Sequence, residues 1–94
     1  MGGMNGFAVV AYLNGQAYVL QMRGVLNWYF FNNRLRLFKS VKTAEKAARK
    51  VLGTYKVDCV KVYRIFDVDD YITCCVFPKW DKEQPERVVS VIGE

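Results

Sequence analysis

Residues 40–53, which read SVKTAEKAARKVLG from Ser40 to Gly53, decide the fold class because the hydrophobic period of the chain changes there. Apolar residues recur at spacings of three and four, the pattern of a single helical face. Ser40 is a typical N-cap residue and Gly53 a typical residue at a helix end. The segment therefore predicts an amphipathic helix with a mainly alanine apolar side, able to lie close against one face of a sheet. The apolar positions are Val41, Ala44, Ala47, Ala48, Val51 and Leu52.

The segments before this helix are typical of β-strands. Residues 7–13 (FAVVAYL) and 17–23 (AYVLQMR) are rich in strand formers, and the Asn-Gly pair between them is among the strongest hairpin signals. Residues 26–31 and 34–38 flank Asn32-Asn33, and asparagine tolerates the positive φ of a tight turn. Two hairpins are therefore predicted ahead of the helix.

After the helix, three more strands are predicted, at residues 56–66, 71–77 and 87–92. Residues 78–86 are predicted to form a loop between the last two. The chain is then one α+β domain over residues 1–94, with residues 1–6 as a flexible lead-in. Its predicted element order is ββββαβββ, with one antiparallel β-sheet and a single amphipathic helix packed on one face.

Charge is uneven along the chain. The formal net charge is +5, made of +8 over residues 1–56 and −3 over residues 57–94. Such asymmetry favours a polyanionic partner on one face; the alternative is that the folded sheet interleaves the two parts of the chain and the charges do not segregate in space. No segment approaches the roughly 18 to 20 uninterrupted apolar residues of a membrane-spanning helix, and no signal peptide is evident, so we expect a cytoplasmic protein with no membrane contact. The odd number of cysteines argues against a secreted disulfide framework.

Several enzyme classes lack their usual residues. The chain has no histidine, so the commonest general base and metal ligand is missing, and it has no glycine-rich phosphate loop. Asp67, Asp69 and Asp70 could bind a hard cation, but an acidic hairpin turn explains them better. Adjacent Cys74 and Cys75 point to opposite strand faces, which does not suit zinc. We therefore expect a protein that is not an enzyme and binds no cofactor or metal.

Residues 27–38 (NWYFFNNRLRLF) form the strongest candidate binding surface. If Asn32-Asn33 is a two-residue turn, alternation places one set of side chains in the core and another on the opposite face. Rings interleaved with guanidinium groups are typical of single-stranded nucleic-acid sites and of protein interface hot spots. The alternative is a solvated sheet face on which the arginines cover exposed rings. The core set is Leu26, Trp28, Phe30, Leu35 and Leu37, and the partner-binding set is Tyr29, Phe31, Arg34 and Arg36.

Two further features are secondary candidates. The polar side of the helix carries the basic residues Lys42, Lys46, Arg49 and Lys50, although a surface helix needs a polar side whatever its function. Trp80 lies in the predicted loop, where it could either fold back onto the core or protrude as a partner contact.

Residues 34–66 resemble a pattern found in small uncharacterised phage and mobile-element accessory proteins. The similarity lies in Phe38-Lys39-Ser40 at the end of a strand, followed by the helix residues 42–48 (KTAEKAA) and another strand. It implies a short accessory factor that binds a host macromolecule, as anti-CRISPR-like inhibitors of bacterial defence nucleases do. The sequence thus predicts a non-enzymatic protein that docks on, and inhibits or modulates, a host protein or ribonucleoprotein complex in the host cytoplasm. The alternative is a module that binds RNA or DNA through the basic and aromatic sheet face.

Overall fold

In the part of the chain that the structure describes, an antiparallel sheet carries one α-helix on each of its faces. The computed structural model describes residues 5–28, 35–66 and 75–93. Within these ranges the sheet has five strands in the order β3-β2-β1-β4-β5. The α+β class and the antiparallel sheet are thus confirmed, whereas the element order is βββαβαβ. The bounds are β1 Gly6–Leu13, β2 Gln16–Leu20, β3 Leu26–Asn27, α1 Val41–Thr54, β4 Cys59–Ile65, α2 Val76–Glu83 and β5 Val88–Gly93.

The hairpin of β1 and β2 forms where the Asn-Gly pair predicts it. Asn14 (φ 51°) and Gly15 (φ 80°) both have the positive φ that a two-residue type I′ turn requires, and Leu13 pairs with Gln16 across it. Strand β2 is shorter than predicted because Met22–Gly24 forms a 3₁₀ turn. The predicted strand over residues 17–23 is therefore correct only as far as Leu20.

Helix α1 matches the prediction most closely. The Ser40 side chain accepts a hydrogen bond from the Thr43 N–H at 3.2 Å, and the helix continues one residue beyond Gly53. Ala44 and Ala48 are fully buried, so α1 lies directly on the sheet face formed by Phe7, Val9 and Ala11 of β1 together with Leu20, Val60 and Val62. The small alanine side chains allow this close approach.

Helix α2 covers the other face, and here the prediction was wrong. Residues 78–86 are not a loop, and the C-terminal end of the strand predicted at 71–77 is helical; residues 71–74 lie outside the described ranges. Pro78 misled the prediction, but a proline in the first helical turn is tolerated because its missing N–H would have no intrahelical partner there. Phe77 and Trp80, three residues apart, share the buried side of α2. They pack on Ala8, Val10, Ala17, Val19, Leu35, Tyr63 and Ile65.

The segment from Leu35 to Phe38 is not the predicted fourth strand. It makes two isolated bridges, from Leu35 to Gln21 and from Phe38 to Phe7, and so crosses from β2 to β1. Trp28 directly follows the short β3 and is 54% exposed, so its assignment to the core was wrong. Leu26 and Leu35 were expected on one face but pack on opposite faces of the sheet.

Strands β4 and β5 complete the sheet. Strand β4 lies within the predicted range 56–66, and β5 is shifted by one residue from the predicted range 87–92. In β4, Val60 and Val62 face α1, while Tyr63 and Ile65 face α2. Central strand β1 is buried on both faces because each face has its own helix, which explains why its sequence is almost continuously apolar. No helix in the described part of the chain is long and apolar enough to cross a membrane.

Candidate functional site

A groove with an apolar floor runs between the C-terminal half of α1 and the β2–β3 edge of the sheet. It consists of two adjoining hollows of about 270 Å³ and about 340 Å³, and the Tyr55 side chain borders both. We call it the Tyr55 groove. The first hollow is lined by Leu20, Gly24, Ala47, Lys50, Val51, Thr54 and Tyr55. The second is lined by Leu13, Tyr18, Leu26, Tyr55, Lys56 and Val57.

The end of α1 places Tyr55 between the two hollows. Tyr55 has an extended backbone (φ −111°, ψ 152°), and its N–H donates to the Val51 carbonyl at 2.9 Å. The helix therefore stops at Thr54, and the chain turns towards β4 with the Tyr55 ring 42% exposed. Tyr55 is the one residue that lines both hollows.

The opposite wall comes from the turn between β2 and β3. The Gly24 N–H donates to the Gln21 carbonyl at 3.1 Å, and Arg23 and Gly24 both have positive φ, which bends the chain sharply at this point. Strand β3 then returns along β2, so that Gly24 lines the first hollow and Leu26 the second.

Exposed apolar side chains are concentrated around this groove. Of the seven large hydrophobic residues that are exposed in the described part of the chain, one lines the groove, and three belong to residues 22–28, the segment that contributes Gly24 and Leu26 to it. Single exposed hydrophobic residues are ordinary, but a cluster of them marks an interaction surface. The four are Met22 (47%), Val25 (49%), Trp28 (54%) and Tyr55 (42%).

Positive charge borders the apolar floor. Lys50 lines the first hollow and Lys56 the second, and none of the residues that line either hollow is acidic. Within the described ranges, neither lysine forms an ion pair. The ion pair that the structure shows there joins Lys61 and Asp81. The groove therefore combines apolar contact area with two available cations.

The basic helix residues named in the sequence analysis are all exposed, but they lie on different sides of α1. At about 100° per residue, Lys50 lies on the groove side of α1 with Ala47 and Thr54, whereas Lys46 lies opposite the buried side of the helix. Lys42 and Arg49 lie towards the side of Glu45 and Leu52, which contacts β5: Glu45 accepts a hydrogen bond from Ser90, and Leu52 lies against Gly93.

Of the predicted binding residues on the aromatic segment, the structure describes Arg36. Tyr29, Phe31 and Arg34 lie outside the described ranges. Arg36 is exposed, and its guanidinium carbon lies 4.5 Å from the centre of the Phe38 ring. This contact is the arrangement expected if the arginine simply covers a ring on the protein's own surface.

Trp80 is part of α2, so its placement in a loop was wrong; at 5% exposure it packs in the core, which was one of the two positions expected for it. Its ring packs against Phe77, with 5.4 Å between ring centres, and Arg87 stacks on it at 3.9 Å. Arg87 is itself 6% exposed and donates to Gln84 and to the Arg64 carbonyl. The Trp80 ring therefore belongs to the core and is inaccessible to a partner in this structure.

A polar cluster on the α2 face is a second place where chemistry could occur. The Tyr63 hydroxyl donates to Asp81 Oδ1 at 2.8 Å and accepts from Tyr12, while Lys61 Nζ lies 2.9 Å from Asp81 Oδ2. Burial, and then the hydrogen bond with Tyr12, raise the pKa of Tyr63 above its usual value of 10.0; burial likewise raises the pKa of Tyr12. Both tyrosines stay neutral and weakly nucleophilic at physiological pH. The cluster therefore serves to tie α2 to the sheet.

Sequence reasoning missed both the groove and this cluster. The exposed aromatic Tyr55 beside Lys56, directly after a helix end, was a usable signal for the groove. Lys61 and Tyr63, two residues apart in a strand, were a usable signal for a polar position on one sheet face. No family model, no curated protein sequence and no solved structure matches this chain.

Proposed function

We propose that this chain is a non-enzymatic binding protein that docks on a larger host protein or ribonucleoprotein complex and inhibits or modulates it. The observation that carries the proposal is the Tyr55 groove, where an apolar lining and the exposed Tyr55 lie together with two lysines that form no ion pair within the described ranges. Such a combination is common at the centres and rims of protein interfaces. The phage-type resemblance of residues 34–66 supports a host macromolecule as the target.

The composition of the groove favours a protein over a nucleic acid as the bound partner. Much of its lining is aliphatic, including Leu20, Val51, Leu26 and Val57. Aliphatic hollows accept apolar side chains, whereas single-stranded nucleic acid needs aromatic faces on which bases can stack.

Nucleic-acid binding is the second candidate function. It is favoured by the exposed Tyr55, which lines the groove together with Lys50 and Lys56, and by the exposed Trp28 elsewhere on the surface. On this alternative, affinity should fall steeply with salt, with a log–log slope near one per neutralised phosphate. A protein interface centred on apolar contacts should be much less sensitive.

The test is affinity capture from bacterial lysate, with and without nuclease, using the wild-type chain and two charge-reversal variants. Lys50→Glu changes the groove, and Arg49→Glu makes the same change of net charge, from +5 to +3, on the other side of α1. We expect capture of a partner to persist after nuclease treatment. The Arg49→Glu variant should still capture this partner, and the Lys50→Glu variant should not.

Two results would overturn this proposal. Capture that both variants retain would place the contact surface elsewhere on the molecule. Capture that nuclease abolishes, with a steep salt dependence in a gel shift on single- and double-stranded oligonucleotides, would favour the second candidate function instead.

A further inference from the structure

We infer that the occupant of the Tyr55 groove is an acidic segment of a protein that inserts two apolar side chains, one on each side of Tyr55. This inference deepens the proposed function, on which it rests, by giving the partner's chemistry. It is based on three properties of the groove: its division into two hollows, its aliphatic lining, and the position of one lysine at each hollow.

The size of the hollows indicates side chains as their occupants. At about 270 Å³ and 340 Å³, each lies near or below the lower limit of sites that enclose a whole drug-sized ligand. Their linings share Tyr55 alone, so one compact ligand would fill at most one. A peptide that passes over the Tyr55 ring can place one apolar side chain in each hollow.

The charges indicate an acidic segment. Lys50 borders the first hollow and Lys56 the second, so each apolar site has its own cation. The two described acidic residues nearest to these lysines in sequence already have partners: Glu45 accepts from Ser90 Oγ at 2.7 Å, and Asp58 accepts from the Asn14 N–H at 3.0 Å. A ligand with a carboxylate next to each inserted side chain would therefore satisfy both lysines.

These steps give a recognition pattern that can be tested. The bound segment should contain two apolar residues, each accompanied by an Asp or Glu on the side that meets the lysine. A helical segment could present them from one face, as in other helix-in-groove complexes, and an extended segment could present them at alternate positions.

Selection from a library of random peptides tests this pattern before any partner has been isolated. The full chain is immobilised, and enriched peptides are sequenced in parallel for wild type, Lys50→Glu, Lys56→Glu and Arg49→Glu. We expect wild type and Arg49→Glu to enrich the same acidic peptides with two apolar residues. Each groove variant should weaken binding of those peptides about tenfold, because a repulsive charge replaces an attractive one.

Charge reversal also provides a gain-of-function readout. Selection on Lys50→Glu should enrich peptides with Lys or Arg in place of one of the two acidic residues, and selection on Lys56→Glu should replace the other. Circular dichroism of each variant checks that the fold is intact, which we expect because all three substituted side chains are exposed.

The inference is wrong if the enriched peptides are neutral or basic, or if they carry no apolar pair. It is also wrong if Arg49→Glu weakens peptide binding as much as Lys50→Glu does. A lack of enrichment over an unrelated immobilised protein would also overturn it. These failures differ from failure of the proposed function. If a host complex is captured through Lys50 but no peptide of this type is selected, the proposed function is retained and the inference is wrong. If acidic peptides bind in the groove but no host complex is captured, the proposed function is wrong.

Discussion

The two faces of the sheet are held to their helices by different physical means. On the α1 face, Ala44, Ala48 and Val51 meet apolar strand residues, most of them aliphatic. On the α2 face, large rings are combined with the hydrogen-bonded tyrosines and the Lys61–Asp81 ion pair. Hydrophobic burial depends on area and fit, whereas a polar network depends on every partner being present in the correct protonation state. The α1 face should therefore respond to changes of volume, and the α2 face also to changes of single polar atoms and of pH.

The largest effect is expected for Trp80→Ala. Trp80 packs between Phe77 and Arg87, and removal of its ring leaves a cavity that the short α2 cannot close. We expect a loss of about 3 to 5 kcal/mol in the free energy of unfolding, measured by urea denaturation. The matched control is Trp28→Ala at the 54% exposed tryptophan, where the loss should stay below about 1 kcal/mol. Equal losses would contradict the assignment of Trp80 to the core.

A smaller effect is expected from overpacking the α1 face. Ala48 is fully buried between α1 and the sheet, so Ala48→Leu must push the helix away and should cost about 1 to 3 kcal/mol. Ala47→Leu is the control, because Ala47 is only half-buried and lines the first hollow of the groove. Thermal unfolding of both variants measures the difference. A variant Ala48→Leu as stable as Ala47→Leu would show that the contact is looser than described.

The polar network is probed by Tyr63→Phe, which keeps the ring and removes one oxygen. The Tyr12 hydroxyl and Asp81 each lose a hydrogen-bond partner, and both are partly exposed, so water can replace part of the loss. We expect a decrease of about 1 kcal/mol in stability. Tyr18→Phe should change little, since the Tyr18 hydroxyl has no hydrogen bond within the described part of the chain. If both substitutions had the same effect in urea denaturation, the network would contribute nothing specific.

The smallest effect concerns alkaline pH. Because the pKa of Tyr63 is raised in the folded chain, the unfolded chain releases this proton first, near the ordinary value of 10.0. The contribution of Tyr63 to the free energy of unfolding is therefore fully present well below pH 10, and it decreases as the pH rises through and above 10. At pH 10 the loss should be about 0.4 kcal/mol for Tyr63, measured as the difference in pH dependence between wild type and Tyr63→Phe. If the stability of wild type and of Tyr63→Phe changed in parallel from pH 8 to pH 10, the raised pKa of Tyr63 would be contradicted.

Local sequence patterns predicted the elements whose stability is mostly local. The Ser40 cap and the spacing of Ala44, Ala48 and Val51 are complete within residues 40–53, and the Asn14-Gly15 turn depends on only two residues. Helix α2 was missed because its sequence contains strand formers and a proline. Burial of Phe77 and Trp80 against Tyr63 overrides those preferences, and that burial depends on tertiary packing.

The Tyr55 groove could be predicted only in part, since its lining comes from two separate segments, residues 13–26 and 47–57. The sequence indicated a basic helix surface and an aromatic surface. The helix register and the strand order decide which of the basic side chains border the apolar floor of the groove. Lys50 and Arg49 are neighbours in sequence and were grouped together, yet they lie on different sides of α1. The α2 cluster likewise needs the pairing of β1 with β4, which brings Tyr12 near Tyr63.

The position of β1 in the centre of the sheet has a consequence for synthesis on the ribosome. Gly6 pairs with Ile65, so β1 emerges long before the strand that completes its central pairing. At typical translation rates, the interval between residues 13 and 65 lasts roughly 3 to 10 seconds. During that time the hairpin of residues 6–20, apolar on both faces, has only one pairing partner for its central strand. We therefore expect the nascent chain to be most prone to aggregation at this hairpin, and slower elongation to lengthen its exposure.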